Sequence, residues 1–332
     1  MSASTSIDVS FDLRVAPILF GATTAPEVEP SLMVVSGQPG SGKSAAIAAM
    51  TRSVEHPPAV VSADSLAAFH PDFLESRRWH PVEAQGALAP LVADWLSEAL
   101  DYARQHRRSL IIEGPFRNSG PVFGTADSFA EHGFLTEVVV VAARRHESLL
   151  AAASRYLDLR RRGRPALFTD RGTHDRGWIG TQALVRDAEA TAPIDRLTIV
   201  DHGGATRFEG TRAGGFTGAT TALASVESAP VSTLRAAEWF SELRRITEYA
   251  RSARELEPAV ADVLVELHEL ALTDVLPAMN VRPGSSFFIE QQRRLEGELE
   301  SLRQDATPDP SPTIEPPVPI VAPPTASPGL SL

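Results

Sequence analysis

Gly37-Gln38-Pro39-Gly40-Ser41-Gly42-Lys43-Ser44 is the stretch on which the reading of this chain turns. An apolar run, Leu32-Met33-Val34-Val35, leads into it, and an Ala-rich run from Ala45 to Met50 follows. Strand, glycine loop and helix is the context a phosphate-binding loop requires, and the spacing G-x-x-x-x-G-K-S is complete. Glycines let successive backbone N–H groups turn inward around phosphate oxygens. The helix starting at Lys43 adds the positive end of its dipole. Lys43 is expected to reach the β- and γ-phosphates of a nucleotide, and the Ser44 hydroxyl to hold Mg2+. Lys43 is also the only lysine; the other 30 basic residues are arginine. A compact ammonium fits inside a phosphate loop where a planar guanidinium does not.

The remaining composition narrows the class. A chain of 332 residues, 43% apolar, can bury one large core or two smaller ones. It has no cysteine, so disulfides and Cys-based metal sites are ruled out. No apolar run reaches the ~18 residues of a membrane span, and residues 1–10 lack a secretory pattern. A cytoplasmic protein with no membrane partner is expected. The net charge of −11 is uneven: residues 254–332 hold 13 acidic and 5 basic residues. Nothing resembles a basic nucleic-acid footprint.

Outward from the loop, short apolar strands are expected at 32–36, 59–62, 109–114, 137–141 and 196–200. Helical stretches lie between them, at 83–105, 144–162 and 171–190. This alternation predicts an α/β fold of the P-loop NTPase type, a mostly parallel sheet with helices on both faces. Ligands of such sheets bind at the carboxyl ends of the strands, where the loop, Asp64 and Glu113 all fall. Residues 1–30 read as a lead-in, 31–203 as the core and 204–305 as a loop followed by a helical C-terminal extension. Within that extension, 203–221 reads as loop or irregular hairpin, and helices are expected at 234–253, 258–276 and 287–302. Residues 306–332 read as a disordered Pro-rich tail.

Four motifs keep a common order: the loop; Val60-Val61-Ser62-Ala63-Asp64-Ser65 with His70-Pro71 beyond it; Leu110-Ile111-Ile112-Glu113-Gly114-Pro115-Phe116-Arg117; and Ser154-Arg155-Tyr156 followed by Thr169-Asp170-Arg171-Gly172-Thr173-His174-Asp175. Over roughly residues 30–202 the chain resembles the zeta toxin family of P-loop kinases. The resemblance implies an ATP- and Mg2+-dependent kinase that phosphorylates the 3′-hydroxyl of UDP-N-acetylglucosamine and is held inactive by an antitoxin partner. A related antibiotic-type phosphotransferase and a non-catalytic nucleotide-binding regulator are the alternatives.

Residue roles follow. Lys43 and the loop from Gly37 to Ser44 hold the nucleotide. Asp64 accepts the proton of the sugar hydroxyl, unless it is only a helix N-cap. Glu113 binds substrate hydroxyls or holds Mg2+ through water; its alternative is a buried structural carboxylate. Arg117 holds substrate or Asp64. Arg155 matches the family's first lid arginine, and Glu98 falls near a substrate-binding glutamate if one residue is deleted before Ser109. The arginines between 155 and 176 form either a phosphate-clamping lid or a solvated helix face. Two departures stand out: Leu167 replaces the second lid arginine, a role left to Arg164 or Arg171, and Pro115 replaces the threonine usual after Glu-Gly. His70 and His174 read as structural, with His174-Asp175 tying the lid helix to the core. The acidic C-terminal helices read as an ordinary extension that completes the core, as a docking surface for another protein, or as a part that packs on the kinase core and partly restrains the basic lid or nucleotide site.

Overall fold

Residues 11–21, 26–52, 54–55, 57–70, 72–75, 84–191, 193–279, 281–282 and 284–306 are described by a computed structural model. Residues 1–10 and 22–25 of the lead-in, Pro71 and the Pro-rich tail from Thr307 lie outside them.

Six strands form one sheet in the order β2-β3-β1-β4-β5-β6: β1 Ser31–Ser36, β2 Ala59–Ser62, β3 Leu110–Gly114, β4 Leu135–Ala142, β5 Arg196–Asp201 and β6 Thr206–Thr211. The first five are parallel, with Val35 opposite Glu113 on one side and Val139 on the other. β6 runs antiparallel to β5 at the edge.

The valine run of β4 shows why the central strands read as continuous apolar runs. Val138 and Val140 point into a core with β1, β3 and β5, covered by α4 Ala84–Gln105, α5 Ser119–Glu131, α7 Arg171–Thr191 and α8 Ala219–Glu227. Val139 and Val141 point to the opposite face, where Ile47 of α2 Lys43–Thr51 covers them. A strand buried on both faces has no polar side to alternate. At the open edge of β2 a π-helical turn, Phe11–Val15, leads into α1 Ala16–Phe20, which packs on the first of these cores. Asp64 lies in the short α3 Ala63–Ala67 directly after β2.

Two elements differ from the sequence reading. Of the two readings of the Gly- and Thr-rich 203–221 segment the irregular hairpin holds, since β6 pairs antiparallel with β5 across a register shift at Ile199 and Val200. The start of α8 within it was not anticipated, and Phe216, Ala219 and Leu223 join the sheet core. Its signal is weak because β6 is an edge strand with mostly exposed side chains. The α5 helix was not anticipated, since Gly120, Pro121 and Gly124 break its pattern.

A second core lies away from the sheet. Here α6 Arg145–Arg161 and lid residues Ala166 and Phe168 pack against α9 Thr233–Ser252, α10 Pro258–Leu270, a π-helical turn at Ala271–Val275, the short α11 Leu276–Ala278 and α12 Ser286–Ala306. Tyr156 and Phe168 meet edge-on with centroids 5.0 Å apart. The C-terminal helices and α6 therefore share one interior. Among the described residues no helix is long and apolar enough to cross a membrane.

The outgoing lid helix α7 reaches the site because two glycines let it approach the loops. A Cβ on Gly180 would lie 2.2 Å from the Phe116 carbonyl oxygen and 2.8 Å from the Arg117 Cα. Gly180→Ala is therefore expected to destabilise the fold by about 1–3 kcal/mol. Gly124→Ala, with nothing within 4 Å of its Cβ in the middle of α5, is expected to stabilise by up to about 1 kcal/mol. Chemical denaturation of both variants checks the pair; equal midpoints would contradict the close packing of α7.

Candidate functional site

The phosphate loop closes a turn that only glycine allows at Gly40. Its φ is +80°, and a Cβ there would sit 2.0 Å from the Ser148 carbonyl oxygen of α6. Lys43 folds back on the loop. Its Nζ donates to the carbonyl oxygens of Gly37 at 2.8 Å and Gln38 at 3.1 Å. Burial lowers the Lys43 pKa to about 8, opposed by the negative charges of Glu113 and Asp64.

The charges acting on Lys43 are those of Glu113, Asp64 and Arg155, so the structure brings these four residues to one place. The sheet order explains it, since Asp64 follows β2, Glu113 ends β3 and the loop follows β1, three neighbouring strand ends. Ser62, not Asp64, caps α3: its hydroxyl accepts from the Ser65 N–H while the Ser65 hydroxyl accepts from the Ser62 N–H. Asp64 is thus released from the capping role, and its Oδ2 lies 4.0 Å from Arg155 Nη2 across the site. Ser44 Oγ sits 3.4 and 3.5 Å from the two carboxylate oxygens of Glu113. A hydroxyl beside a carboxylate at a phosphate loop is a hard oxygen set that suits Mg2+ with its waters and phosphate ligands.

Gln38 and Ser41 are buried in the loop, and Pro39 packs against Gly177 of α7, as does Pro115. Pro115 therefore serves the contact between the β3 loop and the lid helix. Arg117 is exposed on the same loop. Leu167 is half-buried between Ala166 and Phe168 of the second core. Arg171 Nη1 is bound to Glu266 Oε2 of α10 at 2.9 Å, and Arg164 is exposed beyond the end of α6. Glu98 is exposed on α4, and partial desolvation together with the charges of Asp12 and Asp94 raises its pKa.

On the other side of the loop a cleft of about 850 Å3 opens at the ends of β4 and β5. Ala142 and Ala143 form its floor, Leu150 and Ala151 of α6 one side, and Trp239 of α9 its far wall. It adjoins the loop directly. Ala143 O accepts from Gln38 Nε2 at 2.8 Å, and His202 Nδ1 lies 2.9 Å from Ser41 O. One face of α6 lines this cleft while Arg155 reaches Asp64, so a single helix borders both sides of the phosphate loop.

Sequence reasoning missed Ser148 and His202. A lone serine in a helix and a lone histidine after a strand carry no spacing signal. His174 is buried with its Nε2 2.9 Å from Ser148 Oγ, in keeping with the structural role expected of it.

The model of the family described as zeta toxin matches residues 19–212. Among curated proteins, no sequence matches. Among solved structures, the chain is similar to one from work on the PezAT chromosomal toxin-antitoxin system of Streptococcus pneumoniae. That match has a TM-score of 0.60 and 17% identity, covering 69% of this chain and 91% of the other. Fainter similarities reach a putative kinase from Chloroflexus aurantiacus, with a TM-score of 0.34, 20% identity and coverage of 44% and 76%. They also reach an AvrRxo1-ORF1:-ORF2 complex, with a TM-score of 0.42, 10% identity and coverage of 84% and 80%. The family match takes in more than half of the chain and every residue gathered around Lys43: this protein belongs to the zeta toxin family.

Proposed function

We propose that this protein is an ATP-dependent kinase that phosphorylates a UDP-sugar, with the sugar 3′-hydroxyl of UDP-N-acetylglucosamine as acceptor. The observation that carries the reading is the placement of Asp64, freed from capping, opposite Arg155 and beside Lys43 and Glu113.

The phosphate loop divides the strand ends into two halves. The nucleoside of ATP enters the cleft over Ala142 and Ala143, and its phosphates cross the loop toward Lys43. The acceptor enters from the side of β2 and β3. Asp64 takes the proton of its hydroxyl as the oxygen attacks the γ-phosphorus. An O–P bond forms, the bond to the β–γ bridging oxygen breaks, and ADP leaves. Lys43 and Arg155 neutralise charge on the transferring group, and Glu113 and Arg117 orient the sugar. Mg2+, held by Ser44 and by Glu113 through water, supplies further charge neutralisation when bound. Arg164 and Arg171 are the remaining lid cations on this reading. The family and the PezAT likeness support an antitoxin protein as partner. Pro115 packs against Gly177, and Leu167 leaves the second lid position without a cation of its own, so that role falls to Arg164 or Arg171.

Three outcomes test this. ATP turnover is expected to rise on adding UDP-N-acetylglucosamine, and Lys43→Ala is expected to lower it about 10²–10³-fold or more at unchanged stability. Turnover within a few-fold of wild type would remove Lys43 from the reaction. Asp64→Asn is expected to keep ATP affinity and lose transfer about 10²–10⁴-fold; full activity would leave the reaction without its base.

The third concerns pH. The free protein holds Lys43 with a pKa near 8, and a bound triphosphate favours the charged ammonium. Binding above that pH must then take up a proton. ATP affinity is expected to fall as pH rises from 8 to 9.5, with proton uptake seen by calorimetry in buffers of different ionisation heat. Affinity that is flat over this range, without uptake, would contradict it.

A further inference from the structure

We propose that Glu266, on a helix beyond the stretch matched to the family, is a positioning residue for the phosphate loop. This rests on the reading of that loop as the nucleotide site.

A continuous line of hydrogen bonds joins the two. Arg145 lies at the start of α6. Its Nε and Nη2 donate to the two carboxylate oxygens of Asp175, both at 2.9 Å, and its Nη1 donates to Glu266 Oε1. Asp175 Oδ1 lies 3.2 Å from His174 Nδ1, and His174 Nε2 lies 2.9 Å from Ser148 Oγ. Ser148 Oγ accepts from Gln38 Nε2 at 3.2 Å. Gln38 is in the loop, and its carbonyl oxygen accepts from Lys43.

The protons assign themselves along this line. Burial lowers the His174 pKa, so the ring is neutral at pH 7. Asp175 can only accept, so Nδ1 carries the hydrogen and Nε2 faces the Ser148 hydroxyl as an acceptor, in competition with the Arg144 and Arg145 carbonyl oxygens at 3.1 and 3.2 Å. Burial would raise the Asp175 pKa, but hydrogen bonds from Arg145 and His174 outweigh it and hold the carboxyl ionised. The Ser-His-Asp order is that of a nucleophilic triad, yet Ser148 and His174 are wholly buried and Gln38 already occupies the serine oxygen. The line positions; it does not attack.

Glu266 is the anchor at the far end. Its second oxygen accepts from Arg171, so one carboxylate ties together the first residues of α6 and α7, the two helices that frame the lid. Without that anchor Arg145 loses one of two carboxylates, and the orientation of Asp175, His174 and Ser148 against Gln38 loosens. Such buried polar chains are fully satisfied or weak.

The test is Glu266→Gln in the full chain, with Glu269→Gln as control. Glu269 is on the same helix and binds Arg303 at the surface, with no link to the loop. Hydrogen exchange of peptides covering residues 37–44 is expected to speed up in Glu266→Gln and not in the control. ATP Kd is expected to rise about 5- to 20-fold, and the effect to be non-additive with Ser148→Ala. Should Glu266→Gln not fold, Arg145→Lys, which keeps the charge but cannot chelate both carboxylates, is read in the same way. Unchanged loop exchange, or an effect equal to that of Glu269→Gln, would overturn the proposal. A wild-type protein that binds no ATP would instead overturn the nucleotide reading, while loop exchange would still decide the role of Glu266.

Discussion

The contact between Gly40 and the first turn of α6 is the constraint from which the site is built. Backbone meets backbone there with no room for a side chain. The phosphate loop and the lid helix are therefore one mechanical unit, and whatever fixes α6 also shapes the loop. The hydrogen bonds of Gln38 to Ala143 O and Ser148 Oγ seal the same junction from the side. Because β1 lies in the middle of the sheet, this junction stands between the ends of β2 and β3 on one hand and β4 and β5 on the other. Strand order alone sets the two sides of the loop apart.

The second core gives α6 its other attachment. One face of the helix looks toward the strand ends and the other is packed by α9, α10 and α12. Burial of Tyr156, Leu157 and Phe168 against the C-terminal helices is non-directional. The direction comes from charge. Arg160 meets Glu255, Arg245 bridges Asp158 and Glu242, and Ser154 bonds Glu242. These pairs are only partly exposed, so they specify how the helices meet more than how firmly. Charge crosses this interface in both directions: Glu255 and Glu266 of the C-terminal third hold Arg160 and Arg145 of α6, while Asp158 of α6 holds Arg245.

Much of this was legible in the sequence because the signals are local. The glycine loop between Val35 and Ala45, the valines of β4 and the carboxylates at strand ends each carry their own spacing, and the structure brings Lys43, Asp64, Glu113 and Arg155 together. Long-range pairings were not legible. Nothing near Arg171 announces Glu266, which lies 95 residues away along the chain, and nothing near Gln38 announces Ser148. The role of Asp64 could not be separated from capping until Ser62 and Ser65 were seen to close the turn themselves.

Transfer itself is the central claim, and the identity of the phosphorylated atom tests it most directly. Full-length protein is incubated with Mg2+, UDP-N-acetylglucosamine and ATP labelled with 18O in the γ-phosphoryl group, and the sugar nucleotide is examined by mass spectrometry and phosphorus–proton correlation NMR. The account predicts one labelled phosphate, coupled to the proton on the sugar 3′-carbon. An unmodified sugar nucleotide, in protein that binds ATP, would contradict it.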